Sequence, residues 1–135
     1  AYATADEVHP RLFKKIADHI IALHNLDEFD PRALSNIVWA YATAKESHPK
    51  LFKKIADHII VLGNVARFQE VGDIIGSARN NLDEFNPQHL SNIAWAYATA
   101  DEVHPRLFKK IADHIIALHN LDEFDPRALS NIVWA

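Results

Sequence analysis

Apolar residues in the first forty positions follow two different patterns. Leu12, Phe13, Ile16, Ala17, Ile20 and Ile21 recur at i, i+3/i+4 and i+7/i+8, while Lys14, Lys15, Asp18 and His19 take the other side. That one-sided stripe predicts an amphipathic helix ending near Leu23. His9-Pro10 opens it, since proline suits a first helical position, where an N–H would have no partner anyway. The second pattern, Leu34 to Ala44, carries no charge and is apolar on nearly every side. Such a helix must be buried against several neighbours. It opens at Asp30-Pro31, with Asp30 as N-cap and Phe29 and Leu34 placed as a hydrophobic staple. The pair predicts an αα-hairpin: a solvated helix A, a loop over His24 to Glu28, then an inner helix B whose alanines allow close approach.

The hairpin recurs. Residues Ala1 to Ala40 are identical, letter for letter, to Ala96 to Ala135, and an edited copy lies between them. The fold class this predicts is all-α: an αα-hairpin solenoid of superhelical repeats. It has three units of about 39 residues, covering 1–40, 41–96 and 97–135. The middle unit carries 17 additional residues, Val65 to Asn81, and all three glycines (Gly63, Gly72, Gly76) lie in or beside them. Phe68 to Ile75 resembles Phe13 to Ile21 with one residue deleted, so the insert over 65–81 reads as a degenerate extra helix A. Each helical glycine costs roughly 1 kcal/mol against alanine, which predicts the least stable element, and a kink or hinge, between Gly63 and Asn81. The chain starts within the end of one helix B, stops within another at Trp134-Ala135, and has no methionine. Because solenoid ends need polar caps, the expectation is an interior slice of a longer array.

Composition narrows the function classes. A hydrophobic fraction of 49% excludes a disordered chain. No apolar run approaches the ~20 residues of a membrane helix, so no membrane insertion is expected. The net charge of −4 argues against a non-specific nucleic-acid binder. Cysteine is absent, and His9, His19 and His24 form no i, i+3 or i+4 pair, so no metal site is expected. There is no Gly-rich phosphate loop or nucleophile elbow, and the neighbours Asp18 and His19 point to different helix faces. The expectation is a chain that is not an enzyme, with no cofactor and no small-molecule substrate.

Phe29 to Ala42, and still better Phe85 to Ala98 with its Pro87-Gln88 pair, resemble the F-x-P-Q-x-L-A/S-N-x-x-W-A-x-A helix of octatricopeptide-type repeats. Those repeats occur in algal and protist organelle proteins, often beside a RAP domain. The resemblance implies a right-handed αα solenoid that binds single-stranded RNA in organelle RNA metabolism, in the chloroplast or mitochondrion.

Two residue sets bear on that expectation. Arg11, Lys14 and Lys15, then Lys50, Lys53 and Lys54, then Arg106, Lys109 and Lys110 would form a basic stripe along stacked A helices, suited to phosphates. The bland reading is a solvated face, with Lys14 paired to Asp18 at i, i+4. At the starts of the B helices, Arg32, Gln88, His89 and Arg127 are candidate base readers. Trp39, Trp95 and Trp134 offer stacking planes, but burial between repeats is the favoured expectation for them. Asn36, Asn92 and Asn131 are expected to satisfy backbone groups. The alternative function is a protein–protein interaction scaffold or a structural subunit of a larger complex.

Overall fold

The computed structural model describes residues 10–72, 81–118 and 120–134. These residues form six α-helices: α1 (Pro10–Ala22), α2 (Pro31–Thr43), α3 (Pro49–Gly72), α4 (Pro87–Thr99), α5 (Pro105–Ile116) and α6 (Pro126–Trp134). A short 3-10 turn, Asn81–Glu84, precedes α4. Among the described residues there is no strand.

Every α-helix begins at a proline. The residue before it supplies the cap in the even-numbered helices. Asp30 Oδ1 accepts from the Ala33 N–H, Asn86 Oδ1 from the His89 N–H, and Asp125 Oδ1 from the Ala128 N–H, each at 2.8 Å. The ends of α2 and α4 are alike too. The Glu46 N–H reaches back to the Tyr41 carbonyl at 3.0 Å, and the Glu102 N–H to the Tyr97 carbonyl at 2.9 Å. Those Schellman-type closures force the intervening residue into the left-handed region, where Lys45 has φ 60° and Asp101 φ 62°. Glycine is the usual occupant there, because a side chain in that conformation costs energy.

The even-numbered helices pack on one another, with α4 in contact with both α2 and α6, and α3 is in contact with both α1 and α5. One contiguous core results, including Leu34 and Val38 of α2, Ile55 and Ile59 of α3, and Ile93 and Ala96 of α4. Tyrosines tie α2 to α1 and α4 to α3. The Tyr41 hydroxyl donates to the Phe13 carbonyl and the Tyr97 hydroxyl to the Phe52 carbonyl, both at 2.7 Å. Burial, then the charge of Glu46, pushes Tyr41 up to about 12. The same causes, burial and then Glu102, raise Tyr97 well above its usual range. Both hydroxyls therefore stay protonated and keep donating.

The insertion is built differently from the expectation. α3 runs for 24 residues from Pro49 to Gly72, so inserted residues 65–72 extend the preceding helix and no separate helix starts at Val65. Nor does the helix stop at Gly63. One glycine costs only about 1 kcal/mol in a helix interior, whereas a continuing helix satisfies each backbone group in turn. The rest of the expected hinge, 73–80, lies outside the described residues.

Two substitutions test these contacts by urea unfolding. Tyr97→Phe removes one buried donor and should lower stability by about 1 kcal/mol. Asp101→Gly relieves the left-handed residue but adds unfolded-state freedom, so a net gain of about 0.5 kcal/mol is expected.

Candidate functional site

The clearest candidate surface is the side of α2, α4 and α6 turned away from the odd-numbered helices. Tyr41 and Tyr97 point toward α1 and α3, and a residue two positions earlier projects to the other side of a helix. Those residues are Trp39 and Trp95. Trp39 is 42% exposed, Trp95 is half-buried, and Trp134 of α6 is exposed. The rings of Trp39 and Trp95 lie 6.3 Å apart at a 31° tilt. The expected burial is seen in part: Trp95 is half-buried and packed against the core, whereas Trp39 and Trp134 are exposed. The core side of each B helix is already taken by Leu34, Val38 and Tyr41, or by Leu90, Ala94 and Tyr97.

The same stripe carries polar residues one and two turns earlier. Arg32 and Asn36 are exposed on α2 at i−7 and i−3 from Trp39. Gln88 is exposed on α4 and donates from Nε2 to Asn92 Oδ1 at 2.9 Å. On α6, Arg127 is exposed and Asn131 half-buried. The asparagines thus sit on the open face, and Asn92 pairs with a side chain where a backbone partner was expected. The serines do the backbone work: buried Ser35 donates to the Arg32 carbonyl and Ser91 to that of Gln88, each at 3.1 Å.

Of the four base-reading candidates, Arg32, Gln88 and Arg127 are brought onto this one face. His89 is not. Its Nδ1 accepts from the Asn86 N–H at 3.3 Å while its own N–H caps on Asn86, closing a reciprocal capping box. Burial lowers the His89 pKa, with Asp30 opposing and Arg32 assisting.

The basic candidates lie on the odd-numbered helices. Arg11, Lys14, Lys15, Lys50, Lys53, Arg106 and Lys109 are exposed, Lys54 and Lys110 half-buried. Three of the lysines are paired within their own helices. Lys14 Nζ meets Asp18 at 2.7 Å, Lys53 meets Asp57 at 2.8 Å and Lys109 meets Asp113 at 2.9 Å. Such exposed pairs add little stability, but each places a carboxylate where a phosphate would have to sit. Lys54 serves the fold. Its Nζ donates to the Ile21 carbonyl at 2.8 Å and to that of Leu23, completing the C-terminal end of α1.

Acidic residues crowd the loops before the even helices. A cleft of about 350 Å3 there is lined by Asp27, Glu28, Asp30 and Glu84 together with Phe29, Phe85 and His58. Burial lowers the His58 pKa against the pull of Asp27.

The signal for this face was present in the helix B pattern. Arg32, Asn36, Trp39 and Thr43 stand at i, i+4, i+7 and i+11 in an otherwise apolar helix. Polar residues sharing a helical stripe with a tryptophan mark that tryptophan as outward-facing.

The capping role of His89 gives a pH test. Its folded pKa lies below the ordinary 6.5, so the unfolded chain takes up the proton first. The stabilisation is complete above 6.5 and is lost as pH falls toward the folded value. Unfolding in urea at several pH values below neutrality should therefore show a smaller acid loss for His89→Gln than for the parent chain. Known protein families, curated proteins and solved structures yield no match to this chain.

Proposed function

We propose that the chain is an αα-hairpin solenoid whose B-helix face binds single-stranded RNA, with organelle RNA metabolism as its setting. The observation that carries this reading is the exposed Trp39, with half-buried Trp95 beside it, on the stripe that also holds Asn36, Asn92, Arg32 and Gln88. Indole faces stack on any unpaired base, and alanine substitution of such a platform costs about 1–3 kcal/mol per base. Asparagine, glutamine and arginine beside the rings present donors and acceptors to base edges that only a single strand exposes. The resemblance to octatricopeptide-type repeats points to the same ligand.

The location differs from the basic stripe. Lys14, Lys53 and Lys109 are held by aspartates, so phosphate contacts on this reading fall to Arg32 and Arg127. Stacking then carries most of the affinity. A protein-binding scaffold is the second reading, favoured by those paired lysines and the net charge of −4.

Tryptophan fluorescence separates the two readings. Titration with a single-stranded oligouridine at low salt should quench emission, while duplex RNA should not. Trp39→Ala should weaken binding about tenfold, in line with the loss of one stacked base. With only two phosphate contacts, log affinity should fall against log salt with a slope of about −1.4. No quenching by any single strand at low salt would leave the scaffold reading in its place.

A further inference from the structure

The acidic cleft between the first and second hairpins is tied to the insertion in the middle unit. One wall carries His58 and Leu62 of α3, four positions apart and therefore on one helix face. Their counterparts are His19 and Leu23 in the first unit, and His114 and Leu118 in the third. α1 ends at Ala22 and α5 at Ile116, so neither of those pairs shares a helix. α3 instead runs on to Gly72, and the continuing chain gives the carbonyls of Ile59 to Leu62 their helical partners. The histidines differ accordingly. His114 is buried, whereas His58 is half-buried and reaches the cleft.

The lining combines two kinds of chemistry. Phe29, Phe85 and Leu62 supply an apolar surface, and the carboxylates of Asp27, Glu28, Asp30 and Glu84 stand around it. Asp30 uses one oxygen to cap α2. Among the described residues, no lysine or arginine lines the cleft, and none pairs with Asp27, Glu28 or Glu84. His58 does not offset them either. Burial holds its pKa below the ordinary 6.5, so the ring adds no charge at neutral pH. The cleft is therefore a concave surface with apolar walls and an unbalanced negative rim.

We propose that this cleft docks an arginine side chain of a partner protein. Charge complementarity selects a cation, and the phenylalanines select among cations. A guanidinium stacks on aromatic faces, meets a carboxylate through two parallel N–H bonds, and is more weakly hydrated than an ammonium. Its aliphatic stem can lie along Leu62 while the charged head meets the rim. The volume of about 350 Å3 is near the small end of ligand pockets, which suits a single side chain. None of Arg32, Asn36 and Trp39 lines the cleft, so the proposal stands whichever ligand the tryptophan stripe takes.

Amide chemical shifts of the intact, isotope-labelled chain test this, with an end-blocked Gly-Leu-Arg-Leu-Gly peptide as the probe. Saturating shifts are expected at residues 27–30, 58–62 and 84–85. The same peptide with citrulline in place of arginine keeps the shape and loses the charge, and it should bind about tenfold more weakly. Asp27→Asn and Glu84→Gln are isosteric changes at exposed positions, and each should weaken binding about threefold. Asp122→Asn changes the counterpart of Asp27 outside the cleft and should leave binding as it is. Unchanged helical circular dichroism checks that the variants fold. Absence of saturating shifts at those residues overturns the proposal, as does equal binding of the citrulline peptide. An Asp122→Asn loss equal to that of Asp27→Asn also overturns it, since diffuse attraction by the acidic surface would then account for the binding.

Discussion

The even-numbered helices are apolar on too many sides to be stable alone, and this requirement organises the molecule. α4 shows it most fully, with Leu90, Ile93, Ala94, Ala96 and Tyr97 all buried between neighbours. Small side chains such as Ala42, Ala94 and Ala96 keep the helix surfaces low where neighbours meet, so burial is obtained by close approach and not by bulk. The tyrosine hydroxyls then anchor α2 to α1 and α4 to α3 through single hydrogen bonds to carbonyls.

That packing leaves one side of each even helix free, and the free side holds the side chains with the most to offer a ligand. Arginine, glutamine and asparagine occupy it beside Trp39 and Trp95, whose rings meet each other across α2 and α4. The odd helices are organised differently. Lys14, Lys53 and Lys109 balance aspartates one turn away and Lys54 finishes an adjacent helix, while Lys15 and Lys50 are exposed.

Much of this was legible in the sequence. The proline starts, the Asp30 cap and the helical character of both segments followed from local chemistry, because caps and periodicity act within a few residues. What periodicity alone left open was which side of an almost uniformly apolar helix would lack a neighbour. Trp39 looked like core for that reason, although Arg32, Asn36 and Thr43 share its stripe, and the position of Tyr41 against α1 agrees with the direction they mark. His89 looked like a reader of bases, but its ring closes a local capping box. The insertion misled through its likeness to Phe13 to Ile21. A continuing helix needs no new start signal, and no proline of the kind that opens each of the six described helices stands before Val65.

The letter-for-letter identity of the two end segments also bears on the folding search. A nascent α1–α2 hairpin and a nascent α5–α6 hairpin are chemically interchangeable as they approach α3 and α4. Local sequence cannot tell either one which side to take. Connectivity has to make the choice, since α2 leads into α3, and α4 into α5, through short links of residues 44–48 and 100–104. Repetition that simplifies the native architecture thereby multiplies the near-native mispairings, and chain entropy at two short links is what sorts them.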